Sequence, residues 1–455
     1  MYIVKTGDPR VGRIIGQELR ADKQYRLSDY TISFSDEGVH LILSTLTGVI
    51  ASFSDAEWVY VMNMKDHLIS GLQLKGAGFE ELAQNCFFIE ESQNDYTRYQ
   101  FVLSVLNTMS REKKGTKTYT ILPTTGCNAR CVYCYEEGMP VRTMTEDTAD
   151  RVVEFIDKTR WQDEIKLIWF GGEPLLASRI ISRICNGLSN RNIPFRSSLV
   201  TNACLLTPLL LEEAVTLWHL KTAQVSVDGK QEDYETRKKY YNPATHHYHA
   251  MMAAVGSMLE HGIQVTLRCN YDEGNISGLK EFFDHVKTRF GTTENLSVYP
   301  AMLFQAKREA SCVELYQRER TLRAYLRELG LYGKEEHAYK MKLNLCGADS
   351  GDKCTVIDPE GNLYHCEHLP GNTAFGNIFD SVSSAQSNLR EDILADHGCR
   401  RCPYLPKCTP FFRSGCPDWF TYCREFRQLE AEDAFRLLSE ENEVLLNKGK
   451  SGASV

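Results

Sequence analysis

In the stretch TTGCNARCVYCYEEG, residues 124–138, three cysteines stand at positions 127, 131 and 134, a C-x3-C-x2-C spacing with Tyr133 directly before the last of them. Thiols this close on one loop point to soft-metal chemistry. A structural zinc site takes four thiolate or imidazole ligands in a closed tetrahedron, usually from paired short-spaced motifs, and no fourth cysteine stands near these three. Three ligands suit instead a four-iron cluster in which one iron keeps an open position, where a substrate or cofactor can bind directly. Two plainer readings stay open at this point: cysteines that share a loop by chance, or a zinc site completed by a distant histidine.

A second field of cysteines lies downstream: Cys346, Cys354, Cys366, Cys399, Cys402, Cys408, Cys416 and Cys423, eight thiols and so enough for two four-cysteine sites. The spacings in CRRCPYLPKC, residues 399–408, suit zinc as well as iron–sulfur clusters. This region is rich in Cys and Gly and has no long apolar run, so metal ligation would supply the staples that a core-poor module needs. Cys86, Cys185, Cys204, Cys269 and Cys312 are scattered and read as small apolar packing residues. His365 and His368 flank Cys366 and read as neighbours of a ligand set whose cysteine count is already complete.

The 455-residue chain that must position these groups is 42% hydrophobic and 25% charged, ordinary globular material with length for several domains. Its net charge of -8 and scattered basic residues give no footprint for nucleic acid or an anionic membrane. No basic, then apolar, then small-residue pattern opens the chain, and the run VHLILSTLTGVIASF is interrupted by Ser, Thr and Gly and is too short to span a bilayer. A cytoplasmic protein is expected, and in that reducing compartment 16 cysteines read as metal ligands or buried thiols.

From Tyr119 to about Pro300, short β-branched or apolar runs alternate with longer amphipathic ones. YTILP, IKLIWF, FRSSLVTN, AQVSVD, IQVTLRCN and LSVYP read as strands, TEDTADRVVEFIDKT as a helix capped by Thr145, and HYHAMMAAVGSMLEHG as one closed by Gly262. Six such repeats predict an α/β fold, a (β/α)6 partial barrel over residues 116–310, with chemistry on the loops at the carboxyl ends of its strands. The three-cysteine loop follows the first of them. DYTISFS, GVHLILST and GVIASF, with helices at SDAEWVYVMNMKD and DYTRYQFVLSVLNTMSRE, predict a small α+β module over 1–115. A linker helix is expected over 311–340, the cysteine-rich module over 341–430, and a helix with a disordered tail over 431–455.

The three-cysteine loop resembles the signature of radical S-adenosylmethionine (SAM) enzymes, and CRRCPYLPKC resembles the SPASM extension of that family's peptide maturases, relatives of the anaerobic sulfatase-maturating enzymes. The first resemblance implies a [4Fe–4S] cluster on Cys127, Cys131 and Cys134 whose missing ligand is SAM itself, through its methionyl amine and carboxylate. It implies that WFGGEP brings Gly171, Gly172 and Glu173 to the SAM amine, that Asn202 in VTNA and Ser226 and Asp228 in VSVDG line the cofactor or substrate pocket, and that Arg268 in TLRCN pairs with the SAM carboxylate. The second implies two auxiliary [4Fe–4S] clusters, one on Cys346, Cys354, Cys366 and Cys416, the other on Cys399, Cys402, Cys408 and Cys423. Here the chain departs from the pattern, since TPFFRSG between Cys408 and Cys416 is longer than the family's spacer.

Together the resemblances imply a radical SAM oxidoreductase, fed by a donor such as flavodoxin or ferredoxin, that cleaves SAM to a 5′-deoxyadenosyl radical and abstracts hydrogen from a ribosomal precursor peptide (a RiPP maturase). The product would be a thioether or carbon–carbon crosslink, and the module over 1–115 would grip the peptide as an added strand. A formylglycine-generating maturase and a non-catalytic iron–sulfur redox protein are the alternatives. Neither a nucleic acid nor a membrane partner is expected.

Overall fold

The computed structural model describes residues 1–5, 7–36, 38–65, 67–111, 118–160, 164–242, 246–303, 311–332, 354–367, 374–380, 400–407, 429 and 432. The chain divides into two compact units, one of residues 1–110, 335–346 and 388–455, the other of 111–334 and 347–387.

In the first unit the elements run β1 (Tyr2–Lys5), α1 (Pro9–Ile15), β2 (Gln24–Leu27), β3 (Thr31–Asp36), β4 (Val39–Ser44), β5 (Ile50–Phe53), α2 (Asp55–Asn63), β6 (Ile69–Ser70), α3 (Gly71–Gly76), α4 (Glu80–Gln84), β7 (Phe88–Glu90) and α5 (Asp95–Arg111). The three strands read from the sequence are β3, β4 and β5, and with β1 they make an antiparallel sheet of order β1-β5-β4-β3. A second, three-stranded sheet, β6-β2-β7, escaped the sequence reading because its strands span two to four residues, too few to show a period. Phe79, Phe87, Phe88, Leu74 and Leu82 fill the core between the helices and one face of the larger sheet.

Segment 400–407 covers part of the opposite face. The Tyr30 hydroxyl donates to the Arg400 carbonyl at 2.9 Å, and Thr45 Oγ1 donates to the Pro403 carbonyl at 2.6 Å. Tyr404 shares a core with Ile32, Phe34, Leu41 and Leu43, Leu405 shares one with Val11, Tyr30, Tyr99 and Val102, and the half-buried Cys402 packs against both. The loop that carries Cys402 is therefore held on strands made near the other end of the chain.

In the second unit the order is β8 (Thr118–Thr124), α6 (Glu146–Thr159), β9 (Ile165–Gly171), α7 (Ser178–Asn190), β10 (Phe195–Thr201), α8 (Pro208–Thr216), β11 (Leu220–Val227), α9 (Gln231–Lys238), α10 (His247–Glu260), β12 (Gln264–Tyr271), α11 (Leu279–Phe290), β13 (Leu296–Met302), α12 (Cys312–Glu328), β14 (Cys354–Ile357), β15 (Asn362–Tyr364) and β16 (Gly376–Asn377). Strands β8 to β13 are those expected, parallel and in chain order, with helices between them. The expected caps form too: Thr145 Oγ1 accepts from the Thr148 amide at 3.1 Å, and Gly262 takes the left-handed φ of 72° that ends α10. Beyond β8 the sheet continues through β14, which pairs parallel to it from Cys354↔Thr118 to Ile357↔Ile121, and then through antiparallel β15 and β16.

Burial alternates along these strands with a period of two. One face, with Leu167, Trp169, Leu199, Val225, Leu267 and Val298, is fully buried, whereas the other stays partly open. Register places Val200, Gln224, Thr266 and Ser297 in one row of that open face, and Ser226, Arg268 and Tyr299 in the next. The hydrophobic side is covered, and a largely polar surface is left for a ligand.

Candidate functional site

Beyond β8, the chain makes a closed excursion that carries the three cysteines. Its base is pinned where the Thr125 amide donates to the Arg142 carbonyl at 2.9 Å and the Met144 amide to the Pro123 carbonyl at 2.9 Å, while Thr124 Oγ1 accepts from the Gly126 amide at 2.9 Å. Its middle pairs with the last turn of α9 and the chain just past it: the Arg130 amide reaches the Lys238 carbonyl at 3.0 Å, the Val132 amide the Arg237 carbonyl at 3.0 Å, and the Tyr241 amide the Asn128 carbonyl at 3.1 Å. With Ala129 bridged antiparallel to Tyr240, a flexible-looking loop gains a backbone of fixed shape.

Cys127, Cys131 and Cys134 are half-buried free thiols on this excursion, and the Cys134 amide donates to the Cys131 carbonyl at 3.0 Å. Burial pushes the Cys127 thiol up to about 12 and raises those of Cys131 and Cys134, and the neighbouring thiols add to the rise at Cys127. Such thiols ionise when a metal takes the place of the proton. Among the described residues no group of three or more His, Cys, Asp or Glu side chains closes on a single ion. A four-iron cluster does not need that, since each of its ligands binds a different iron. The donor set fits a cluster held on one face by three thiolates.

At the end of β9, Gly171 takes a φ of 116°, and a Cβ there would lie 2.3 Å from the Thr124 carbonyl oxygen; one at Gly172 would lie 2.4 Å from that of Gly126. The glycines thus let the turn after β9 seat directly against the root of the cysteine loop. Glu173 is fully buried, and its carboxylate accepts from Thr201 Oγ1 at 2.7 Å, the Asn202 amide at 2.8 Å and the Leu175 amide at 3.2 Å, while its own amide reaches the Gly126 carbonyl at 2.9 Å. One side chain therefore ties together the ends of β9 and β10, and its amide ties them to the loop. Glu173→Ala strands three donors in a buried place and is expected to destabilise the protein by roughly 3 kcal/mol or more, at about 1–3 kcal/mol per orphaned group. The urea midpoint of the variant measures this.

Asn202 Nδ2 donates to Asn128 Oδ1 at 2.8 Å, next to Cys127. Ala203 takes a φ of 61°, unusual for a residue with a Cβ, and this bend returns Cys204 to the same place: its thiol donates to Asn202 Oδ1 at 2.9 Å and accepts from Asn128 Nδ2 at 3.1 Å. Cys86, Cys185 and Cys269 are buried as packing residues, but Cys204 is not one of them. Its sequence neighbourhood carries no sign of this, because the triangle closes through Asn128, some 75 positions away.

Ser226 and the fully buried Asp228 lie at the end of β11. Ser226 accepts from Lys238 Nζ at 3.1 Å, and Asp228 Oδ2 lies 3.4 Å from the same ammonium. Lys238 escaped the sequence reading, as did Asn270, whose Nδ2 donates to the Tyr133 hydroxyl at 3.2 Å. Arg268 is half-buried on the open face beside Ser226, and its Nε has no hydrogen-bond partner among the described residues. Of the auxiliary ligands expected, Cys354 begins β14 and Cys366 follows β15, Cys402 lies as above, and Cys346, Cys399, Cys408, Cys416 and Cys423 fall outside the described residues. His365 stacks on Phe375 at 4.2 Å, and His368 also lies outside.

Residues 121–283, from β8 into α11, match the radical SAM superfamily. The chain carries a radical SAM domain. An uncharacterized protein of Methanocaldococcus jannaschii is 27% identical over 273 residues, 58% of this chain and 90% of its own length. Among solved structures, anSMEcpe with bound AdoMet and Cp18Cys peptide aligns with a TM-score of 0.56 at 15% identity, over 72% of this chain and 99% of its own. SuiB of Streptococcus suis bound to precursor peptide SuiA aligns with a TM-score of 0.50 at 12% identity, over 84% of this chain and 94% of its own. At these identities the likeness is one of fold. The three loop cysteines and Gly171, Gly172, Glu173, Asn202, Ser226 and Asp228 stand at or beside the carboxyl ends of β8 to β11, and Arg268 lies within β12. Among the described residues no helix is long and apolar enough to cross a membrane.

Proposed function

We propose that this protein is a peptide-modifying radical SAM enzyme whose substrate is a ribosomal precursor peptide, in which it forms a thioether or carbon–carbon crosslink. The observation that carries this reading is the set of three half-buried thiols on one braced loop of the radical SAM domain. Cys127, Cys131 and Cys134 would hold a [4Fe–4S] cluster. When bound together with SAM, such a cluster would supply the electron for cleavage of the sulfonium, and so the 5′-deoxyadenosyl radical that takes hydrogen from the substrate.

The chain's own residues bind and orient. Gly171 and Gly172 let the turn after β9 approach the loop, Glu173 fixes that turn against β10, and Asn202 stands beside the first cysteine through Asn128. Arg268, with an Nε free of other bonds among the described residues, is the cation for the SAM carboxylate. Ser226 and Asp228 line the pocket at the end of β11, and the open rows of β10 to β13 give an extended polar surface for a peptide. Two proteins of similar fold, anSMEcpe and SuiB, have peptides bound, which supports that class of substrate. The downstream cysteines would hold two further clusters that accept the electron of the substrate radical, in a cytoplasmic enzyme fed by a flavodoxin or ferredoxin.

Anaerobic reconstitution with iron, sulfide, SAM and a reductant, followed by mass analysis of a precursor peptide encoded beside the gene, tests the proposal. Deoxyadenosine together with a peptide lighter by two hydrogens is the expected result. An aldehyde on the peptide would assign formylglycine formation instead, and no SAM cleavage would leave a redox protein without turnover.

A further inference from the structure

The end of α9 does more than brace the cysteine loop: it carries a buried cation to it. Lys238 is 3% exposed, its carbonyl accepts from the amide of Arg130 beside Cys131, and its ammonium lies 5.8 Å from the centre of the Tyr133 ring, between the second and third cysteines in sequence. The ammonium donates to Ser226 and faces the carboxylate of Asp228 at 3.4 Å. Arg237, the next nearest cation at 3.8 Å, spends its guanidinium on Asp272 at 2.7 Å. Taking two charges out of water is costly unless hydrogen bonds complete the pair, so this arrangement is a poor source of stability. Its use lies in the field it makes.

We propose that Lys238 is a positioning residue whose fixed charge makes the loop's cluster easier to reduce, with Asp228 as the opposing charge that trims the effect. This rests on the reading of the loop as a [4Fe–4S] site. One electron from a low-potential one-electron donor takes the cluster core from the 2+ to the 1+ state, with no bond broken and no proton moved. The added negative charge arrives near an ammonium that is itself buried, where charges are screened less than in open water.

The test is a potentiometric titration of the full-length protein, poised with dithionite and read on the EPR signal that shifts when SAM is added. Lys238→Met should lower the reduced-to-oxidised ratio at fixed poise about tenfold, which is 59 mV for a one-electron couple. Asp228→Asn should shift the midpoint in the opposite direction, and the double variant should fall between the two. Opposite signs are the mark of a field, because loosened packing would move both variants alike. Should Lys238→Met fail to load a cluster, Asp228→Asn alone decides: a positive shift supports the inference and an unchanged midpoint overturns it. A wild-type protein with no SAM-responsive signal would refute the cluster reading itself, a different failure from loaded variants whose midpoints do not move.

Discussion

With Cys127, Cys131 and Cys134 all replaced by alanine, 5′-deoxyadenosine formation is expected to disappear, and bound iron to fall by roughly a third, that is, one cluster of three. The fraction follows from eleven cysteines in cluster-compatible positions, three on the loop and eight downstream. Removing three half-buried thiols should leave the rest standing, because the loop keeps its shape through backbone bonds that join Asn128, Arg130 and Val132 to the end of α9 and the chain just past it, and Thr125 to Arg142. A chain that folds, keeps two thirds of its iron and makes no deoxyadenosine is the predicted result, read by iron analysis and chromatography of the quenched reaction. Continued SAM cleavage would remove the assignment of this loop.

Deleting residues 1–110 is the second large effect. Were the module only a grip for the peptide, the truncated protein would keep all its iron. The structure gives another expectation, because Tyr404 and Leu405 share cores with Ile32, Phe34, Leu41, Tyr30 and Tyr99, and the buried Tyr30 and Thr45 bond to the backbone around Cys402. Two large apolar side chains at about 1.5–3 kcal/mol each, with two hydrogen bonds at about 1 kcal/mol each, amount to roughly 5–8 kcal/mol that hold this segment. The truncated chain should lose the iron of the cluster that Cys402 serves, and with it peptide crosslinking. SAM cleavage should survive, since the loop cysteines belong to the other unit, which has its own core. Full iron content after truncation would refute this and return the module to a purely peptide-gripping role. Tyr404→Ala is the milder form of the same test, and should lower iron content without removing the sheet edge that a peptide would use.

How much of this could be read from the residues alone depends on the range of the physics. The six parallel strands were legible because each is a short β-branched or apolar run between turn signals, and Thr145 and Gly262 mark helix ends by local chemistry. The cysteine loop was legible because ligand spacing is itself a local property. Lys238 was not: in the sequence it stands in TRKKYY, which reads as a solvated basic run, and only tertiary pairing with the cysteine loop buries it. For the same reason Cys204 read as packing, and Gly171 and Gly172 read as making room for a cofactor when their missing Cβ atoms also make room for the loop's own backbone. The sheet's continuation through β14 gave no signal at all, since Cys354–Ile357 is four residues long and joins β8 across more than two hundred positions.

The cover that segment 400–407 lays over β3 and β4 also sets an order of events during synthesis. Roughly 350 residues separate β5 from Leu405, and a ribosome that adds roughly 5–20 residues each second needs about 20–70 s to make them. Throughout that interval the finished amino-terminal sheet shows Ile32, Phe34 and Leu41 to its surroundings without the side chains that later bury them. The oldest part of the first unit is thus completed by some of its youngest residues, and a chain arrested before position 400 would emerge with an apolar sheet face suited to chaperones and to other unfinished copies of itself.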